Sequence, residues 1–227
     1  MNQITVNLDY VKRTIADTAS TYGRTAADIK LLAVSKRHSI DAIKSAQAAG
    51  QTSFGENFVA EGVEKTARLP ENLDWHFIGQ IQSNKTRLIA RHFSWVHTVD
   101  RLRIARRLSD QREQDTPLNI LIQVHLGGGE HRAGVAPAAT LELAHAIHDL
   151  PNVALRGLMV LPPAETEFDA QRGHFARVAA LAKAGRDDGL PLHELSMGMS
   201  GDLAAAICEG ATWVRVGTAI FGPRPGT

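Results

Sequence analysis

The feature that most constrains the fold of this chain is a repeated alternation of short apolar or β-branched runs with longer amphipathic stretches. Eight runs read as strands, at residues 31–36, 53–55, 75–79, 95–99, 119–125, 154–161, 194–197 and 213–217. The run Leu31-Leu32-Ala33-Val34 has no polar alternation, as expected of a parallel strand covered on both faces. The intervening segments carry helix start and stop signals. Ser39 precedes Ile40 and Ile43, and Gly50 closes that helix; Ser83 opens residues 85–91, Asp100 opens 102–108, and Pro137 sits at the first turn of 138–150. Strands alternating with helices imply right-handed crossovers and a parallel sheet. Eight such units in 227 residues fit an α/β chain folded as a (β/α)8 TIM barrel. An extra amphipathic helix, 5–22, precedes the first strand. The alternative is an open doubly wound sheet, but the G-x-G-x-x-G signature is missing after the first strand. No Pro/Gly/Ser-rich linker or shift in composition divides the chain, so residues 1–227 read as one domain.

Lys and Arg total 25 against 24 Asp and Glu, and this balance gives no overall pull toward nucleic acid or anionic lipid. The local cluster Arg101, Arg103, Arg106 and Arg107 alternates with Leu102, Ile104, Ala105 and Leu108, which is a solvated helix face. The single cysteine, Cys208, excludes an internal disulfide and a thiolate-cage zinc site, and its apolar surroundings suggest a buried helical position. The amino terminus shows no signal-peptide pattern and no stretch approaches a membrane span, so a cytoplasmic location is expected. His145 and His148 share a helix face without a third ligand and read as a surface pair, so no metal site is assigned. Residues 57–68 read as a covering helix, and Trp75, Trp95 and Trp213 as core or rim packing.

Lys36 ends the first apolar run. An ammonium at the mouth of a sheet is poorly solvated, so its pKa should fall and the amine become a nucleophile toward an aldehyde; the plain alternative is a snorkelling lysine. Barrel enzymes place chemistry at the carboxyl ends of the strands and often hold phosphate on the loops after strands seven and eight. Here those loops are Ser196-Met197-Gly198-Met199-Ser200-Gly201-Asp202 and Val216-Gly217-Thr218-Ala219-Ile220-Phe221-Gly222. Both offer glycine turns, backbone N–H groups and hydroxyls, which suit a phosphate dianion. Arg215 lies inside a strand expected to be covered on both faces, where a guanidinium is costly unless paired or bound to a ligand. Strand alternation sets it opposite Val214 and Val216 and, if that face is the interior, in one pocket with Gly217 and Thr218; pairing with Glu194 is the alternative. Asn57, at the end of the second strand, could bond a ligand hydroxyl or cap a helix. Together these groups describe a pocket for a phosphorylated aldehyde.

Several motifs carry a resemblance to a known family. They are Val34-Ser35-Lys36, Phe54-Gly55-Glu56-Asn57, His76-Phe77-Ile78-Gly79, Gln82-Ser83-Asn84-Lys85, Arg156-Gly157-Leu158-Met159, Leu195-Ser196-Met197-Gly198-Met199-Ser200 and the stretch Val214 to Gly222. From about Thr5 to Gly222 the chain resembles the YggS/PROSC family of pyridoxal phosphate homeostasis proteins. The resemblance implies a barrel like the amino-terminal barrel of alanine racemase, with pyridoxal 5′-phosphate (PLP) as cofactor, held as a Schiff base on Lys36. It further implies Arg215 facing the pyridine nitrogen, Ser200, Gly217 and Thr218 on the phosphate, Asn57 near the 3-hydroxyl edge, and Met159 lining the pocket. One stretch departs from the family pattern: Gly127-Gly128-Gly129-Glu130-His131-Arg132 stands where relatives are richer in Asn and Ser.

An arginine opposite the pyridine nitrogen keeps that nitrogen unprotonated and weakens the cofactor as an electron sink. In the related racemases a second base is a tyrosine from a separate domain, whereas the two tyrosines here, Tyr10 and Tyr22, lie in the leading helix. The expectation is therefore a non-catalytic protein that buffers or delivers PLP to PLP-dependent apo-enzymes, with no residue assigned as catalytic and a monomer favoured. A slow amino-acid racemase and a Schiff-base aldolase without PLP are the enzyme alternatives.

Overall fold

The computed structural model describes residues 2–127 and 133–223. Helix α1 (Gln3–Thr21) leads into β1 (Lys30–Val34), α2 (Ile40–Ala48), β2 (Ser53–Glu56), α3 (Val59–Arg68) and β3 (Asp74–Phe77). Then come α4 (Thr86–His92), β4 (Trp95–Val99), α5 (Leu102–Asp110), β5 (Leu118–Val124), α6 (Pro137–His148) and β6 (Val153–Val160). The chain continues through α7 (Phe168–Asp187), β7 (Glu194–Ser196), α8 (Leu203–Cys208), β8 (Trp213–Val216) and α9 (Thr218–Phe221).

The eight strands form a closed parallel barrel in sequence order, and β1 pairs with β8 through the register Leu32 to Arg215 to complete the ring. Closure explains the unbroken apolar runs, because outward residues such as Ala33, Phe54, Ile120, Val214 and Val216 are buried under the surrounding helices. Helix α1 buries Leu8, Val11, Ile15 and Ala19, a single stripe at helical spacing, and packs against α8 and α9. Asn2 caps α1 by accepting from the Ile4 N–H, and Ser39 caps α2 by accepting from Ala42. Among the described residues no helix is long and apolar enough to cross a membrane.

Several boundaries differ from expectation, each for a local reason. β1 stops at Val34 rather than at Lys36. The Ser35 N–H still donates to Gly55 O at 3.0 Å, but Arg37 adopts a left-handed conformation (φ 62°) that turns the chain out of the sheet. Lys36 thus sits in the turn above the barrel mouth. Helix α3 begins at Val59, not at Asn57. Asp100 does not cap α5; its carboxylate pairs with the Arg101 side chain. Cys208, at the last position of the short α8, is partly exposed rather than buried. The departing stretch 127–132 lies outside the described residues except for Gly127.

Candidate functional site

Lys36, Asn57, Met159, Ser200, Arg215, Gly217 and Thr218 all line one cavity of about 310 Å³ at the carboxyl ends of the strands. Residues more than 180 positions apart meet there because β1 and β8 are neighbours in the closed ring. A larger hollow of about 580 Å³, lined by Lys30, Ser53, Trp95 and Trp213, lies toward the amino-terminal ends and contains none of them. In this fold chemistry gathers at the carboxyl face.

Arg215 faces the barrel interior, and its neighbours Val214 and Val216 face the helices, as strand alternation requires. Its guanidinium donates to Ser196 O at 2.6 Å, to Ser196 Oγ at 2.9 Å and to Val160 O at 2.9 Å. Two of its five N–H donors are left without an acceptor among the described residues. Glu194 is not its partner: that carboxylate binds Lys30 at 2.5 Å and Thr212 at 2.6 Å. Burial pulls the Arg215 pKa down to about 10, partly opposed by Asp202, and the group stays cationic at neutral pH.

The hydrogen-bond chain continues below Arg215. Ser196 Oγ lies 2.8 Å from His97 Nδ1, and His97 Nε2 lies 2.9 Å from His76 Nδ1. Arginine can only donate, so the Ser196 hydroxyl accepts from it and passes its own proton toward His97 Nδ1. His97 then carries its proton on Nε2 and donates to His76, whose Nε2 is buried without a partner among the described residues. This tautomer assignment follows from donor logic. Burial, chiefly, holds His76 at about 3 and His97 well below its ordinary value, so both rings are neutral. His76 stacks on Trp95 at 5.5 Å with a 2° tilt and meets Trp213 edge-on. Of these residues His97 has no place in the sequence reading, and His76 and Ser196 stand there only within longer motifs, with no role of their own. The alternation Trp75-His76-Phe77 places His76 on the interior face by the argument that places Arg215 there.

The two glycine loops stand beside this chain. In the loop after β7, Gly198 has φ 91° and an added Cβ would lie 2.5 Å from the Ala206 Cβ, so only glycine brings the turn this close to α8. The Met199 N–H donates to Asp202 Oδ1 at 2.5 Å, which fixes the approach to Ser200. After β8, Gly217 leads into α9, whose first amides have no helix carbonyl behind them. Ser200 and Thr218 are exposed at the cavity edge, so their hydroxyls are open to a ligand.

Asn57 does not cap α3, whose N-cap position is held by Phe58 without a side-chain bond. Instead Asn57 Oδ1 is buried and has no hydrogen-bond partner among the described residues. Its backbone is pressed against Gly79, where an added Cβ would sit 2.0 Å from Asn57 O. The remaining sequence features take structural places. His145 binds Asp188 at 2.6 Å on the surface, Trp75 packs on Phe54, and the arginines of α5 surround a buried face of Ile104, Ala105 and Leu108.

The arrangement is a cavity with an amine, a fixed guanidinium, an unfilled acceptor and two glycine loops that carry hydroxyls. The family described as alanine racemase, N-terminal domain, matches residues 6–225. A pyridoxal phosphate homeostasis protein of Pseudomonas aeruginosa is 50% identical, with 99% of this chain and 97% of the relative covered. The solved structure of PipY from Synechococcus elongatus, with PLP bound, is 40% identical and superposes with a TM-score of 0.81 over 92% of this chain and 100% of that one. An alanine racemase of Clostridium difficile shares the fold alone, at 15% identity and a TM-score of 0.72, covering 95% of this chain and 57% of the racemase. The chain belongs to the family of pyridoxal phosphate homeostasis proteins, built on the barrel of the alanine racemase N-terminal domain.

Proposed function

We propose that the chain binds PLP in the carboxyl-terminal cavity and serves PLP homeostasis by holding and releasing the cofactor, not by turning over amino acids. The observation that carries this reading is the meeting of Lys36, Arg215, Asn57 and the two hydroxyl-bearing loops around a single cavity. Its volume of about 310 Å³ is in the range of small-molecule pockets. The donor set fits the cofactor group by group. The buried, unpartnered Asn57 Oδ1 needs a donor, which a ring hydroxyl provides. Ser200, Thr218 and the Gly217 main chain offer hydroxyl and amide donors to a phosphate.

When bound, PLP supplies an aldehyde that condenses with a primary amine, releasing water, and a ring that withdraws electrons. Lys36 offers that amine. Arg215 would hold a donor toward the ring nitrogen and, anchored on Ser196 and Val160, neither gives up its proton at neutral pH nor accepts one. Met159 forms part of the apolar wall. Neither Tyr10 nor Tyr22 lines the cavity, so the opposed base that a racemase uses has no candidate there. A guanidinium in place of a carboxylate, together with a lone amine, suits retention of the cofactor better than carbanion chemistry. On the same reading the chain is a one-domain carrier that acts as a monomer and hands PLP to apo-enzymes.

The test is direct. Purified protein should be yellow, borohydride should fix the chromophore on the peptide containing Lys36, and Lys36→Ala should abolish that attachment. Loaded protein should activate a PLP-dependent apo-enzyme, while single enantiomers of amino acids should keep their configuration on incubation. Covalent PLP in Lys36→Ala would sink the lysine assignment, and steady racemisation would sink the non-catalytic reading.

A further inference from the structure

Behind the turn that carries Lys36 lies a buried ionic cluster that the cofactor cavity does not include. Lys65 on α3 is only 4% exposed, and its ammonium reaches three acceptors. They are Ser35 O at 2.8 Å, Glu56 Oε1 at 2.7 Å and Glu61 Oε1 at 2.7 Å. An ammonium has three donors, so the set is complete. The acceptors are not scattered. Ser35 immediately precedes Lys36, and the Ser35 hydroxyl also donates to Glu56 Oε1 at 2.6 Å. Arg37 immediately follows Lys36, and its N–H donates to the same Glu61 Oε1 at 2.5 Å.

The peptide units on both sides of the Lys36 Cα are therefore tied to one buried side chain, one directly and one through Glu61. Arg37 needs this support. Its left-handed conformation is unfavourable for a residue with a Cβ, and such strain persists only where surrounding bonds over-determine it. Glu56 links the cluster to the other wall of the cavity, because the next residue is Asn57. Burying one cation with two carboxylates is an expensive way to stabilise a fold, and apolar side chains of the same volume would often do as well. What the cluster specifies is the path of the chain through residues 35–37.

We propose that Lys65, with Glu61 and Glu56, is a positioning device that fixes the direction in which Lys36 enters the cavity for covalent attachment of PLP. It rests on the reading of Lys36 as the PLP lysine. Lys65 touches neither the cavity nor its ligand; it acts through the main chain on either side of Lys36. Loss of the clamp lets the turn sample other conformations, so the amine meets the aldehyde in the right geometry less often.

The test separates attachment from binding. Lys65→Met with Glu56→Gln removes the ammonium without stranding a buried carboxylate, and Glu61→Ala removes the Arg37 acceptor at a partly exposed helix position. For each protein the rate of covalent attachment is followed by the change in PLP absorption. Affinity for pyridoxine 5′-phosphate, which keeps the ring and phosphate but lacks the aldehyde, is measured alongside. The clamp predicts attachment slowed roughly ten- to hundredfold, with affinity for pyridoxine 5′-phosphate changed less than about threefold. Glu61→Ala alone carries the same expectation, with a smaller slowing, should the double variant not fold. Unchanged attachment rates, or equal losses in attachment and in analogue affinity, would overturn the proposal. A Lys36→Ala control separates the two claims. Covalent PLP that survives in it sinks the assignment of Lys36, whereas normal kinetics in the Lys65 and Glu61 variants sink the clamp alone.

Discussion

The neutral histidine pair inside the barrel makes acid stability a quantitative probe of the site. His76 is fully buried between Trp95, Trp213 and His97, and burial lowers its pKa from 6.5 to about 3, with a smaller push from Lys30. A histidine depressed in the folded state adds no penalty above the unfolded pKa. As pH falls below 6.5 the unfolded chain takes up a proton that folded His76 refuses, and stability is lost. Between pH 7 and pH 5 the unfolded side chain goes from about a quarter to almost fully protonated, and integrating over that interval gives about 2 kcal/mol for this one residue. His97 shifts in the same direction. Burial raises Glu56, Asp74 and Asp202, and acids raised in the folded state act oppositely, but they are present in wild type and variant alike. The comparison is therefore His76→Gln against wild type, both without cofactor, by urea unfolding at pH 7 and pH 5 and fixed ionic strength. Glutamine keeps an oxygen for the His97 Nε2–H but loses the ring stack, so the variant is less stable at pH 7. That deficit should shrink by about 2 kcal/mol at pH 5, because only the wild type carries the His76 penalty. A deficit that is the same at both pH values would show that folded His76 accepts a proton, and the donor chain from Arg215 to His76 would fail with it.

Two further outcomes follow from the cavity walls. Gly79→Ala should destabilise the protein by about 3 kcal/mol in urea unfolding, since the new Cβ would lie 2.0 Å from Asn57 O and backbone must move; unchanged stability would mean that the Asn57–Gly79 contact is looser than described. Asn57→Ala should leave the cofactor-free protein within about 1 kcal/mol of wild type while raising the dissociation constant for PLP roughly tenfold, because Oδ1 has no partner to lose in the free protein; equilibrium titration checks this, and undiminished affinity would remove Asn57 from the site.

The barrel was legible because its signals are local. Each strand shows as a short apolar run, each helix as a periodic stripe with a cap such as Ser39 or a first-turn Pro137, and closure follows from counting them. Arg215 was legible for the opposite reason. It breaks the apolar pattern of its strand, and a guanidinium that interrupts a doubly covered strand must have an interior use. His76 and His97 break the same pattern in β3 and β4, but a neutral imidazole fits an apolar wall at little cost, so the interruption carries less information. What the sequence could not convey is pairing across elements. Glu194 is a plausible partner for Arg215 by composition, and only the register of β7 against β8 gives the role to the Ser196 carbonyl and hydroxyl. Lys65 is the extreme case. In Val59–Arg68 it stands among Glu61, Glu64 and Arg68 like any surface charge of a covering helix, and Arg68 does pair with Glu64 at the surface. Yet Lys65 is buried while Arg68 is not, because one turn of α3 lies over the turn at residues 35–37, where Ser35 and Arg37 present a carbonyl and an amide that the sheet no longer satisfies. Those two groups leave the sheet because β1 ends at Val34, two residues short of Lys36, and the Ser35 carbonyl accepts from the His38 N–H at 3.1 Å as well as from Lys65. The early end of β1 thus turns Lys36 toward the cavity and also sets the Ser35 carbonyl where Lys65 binds it.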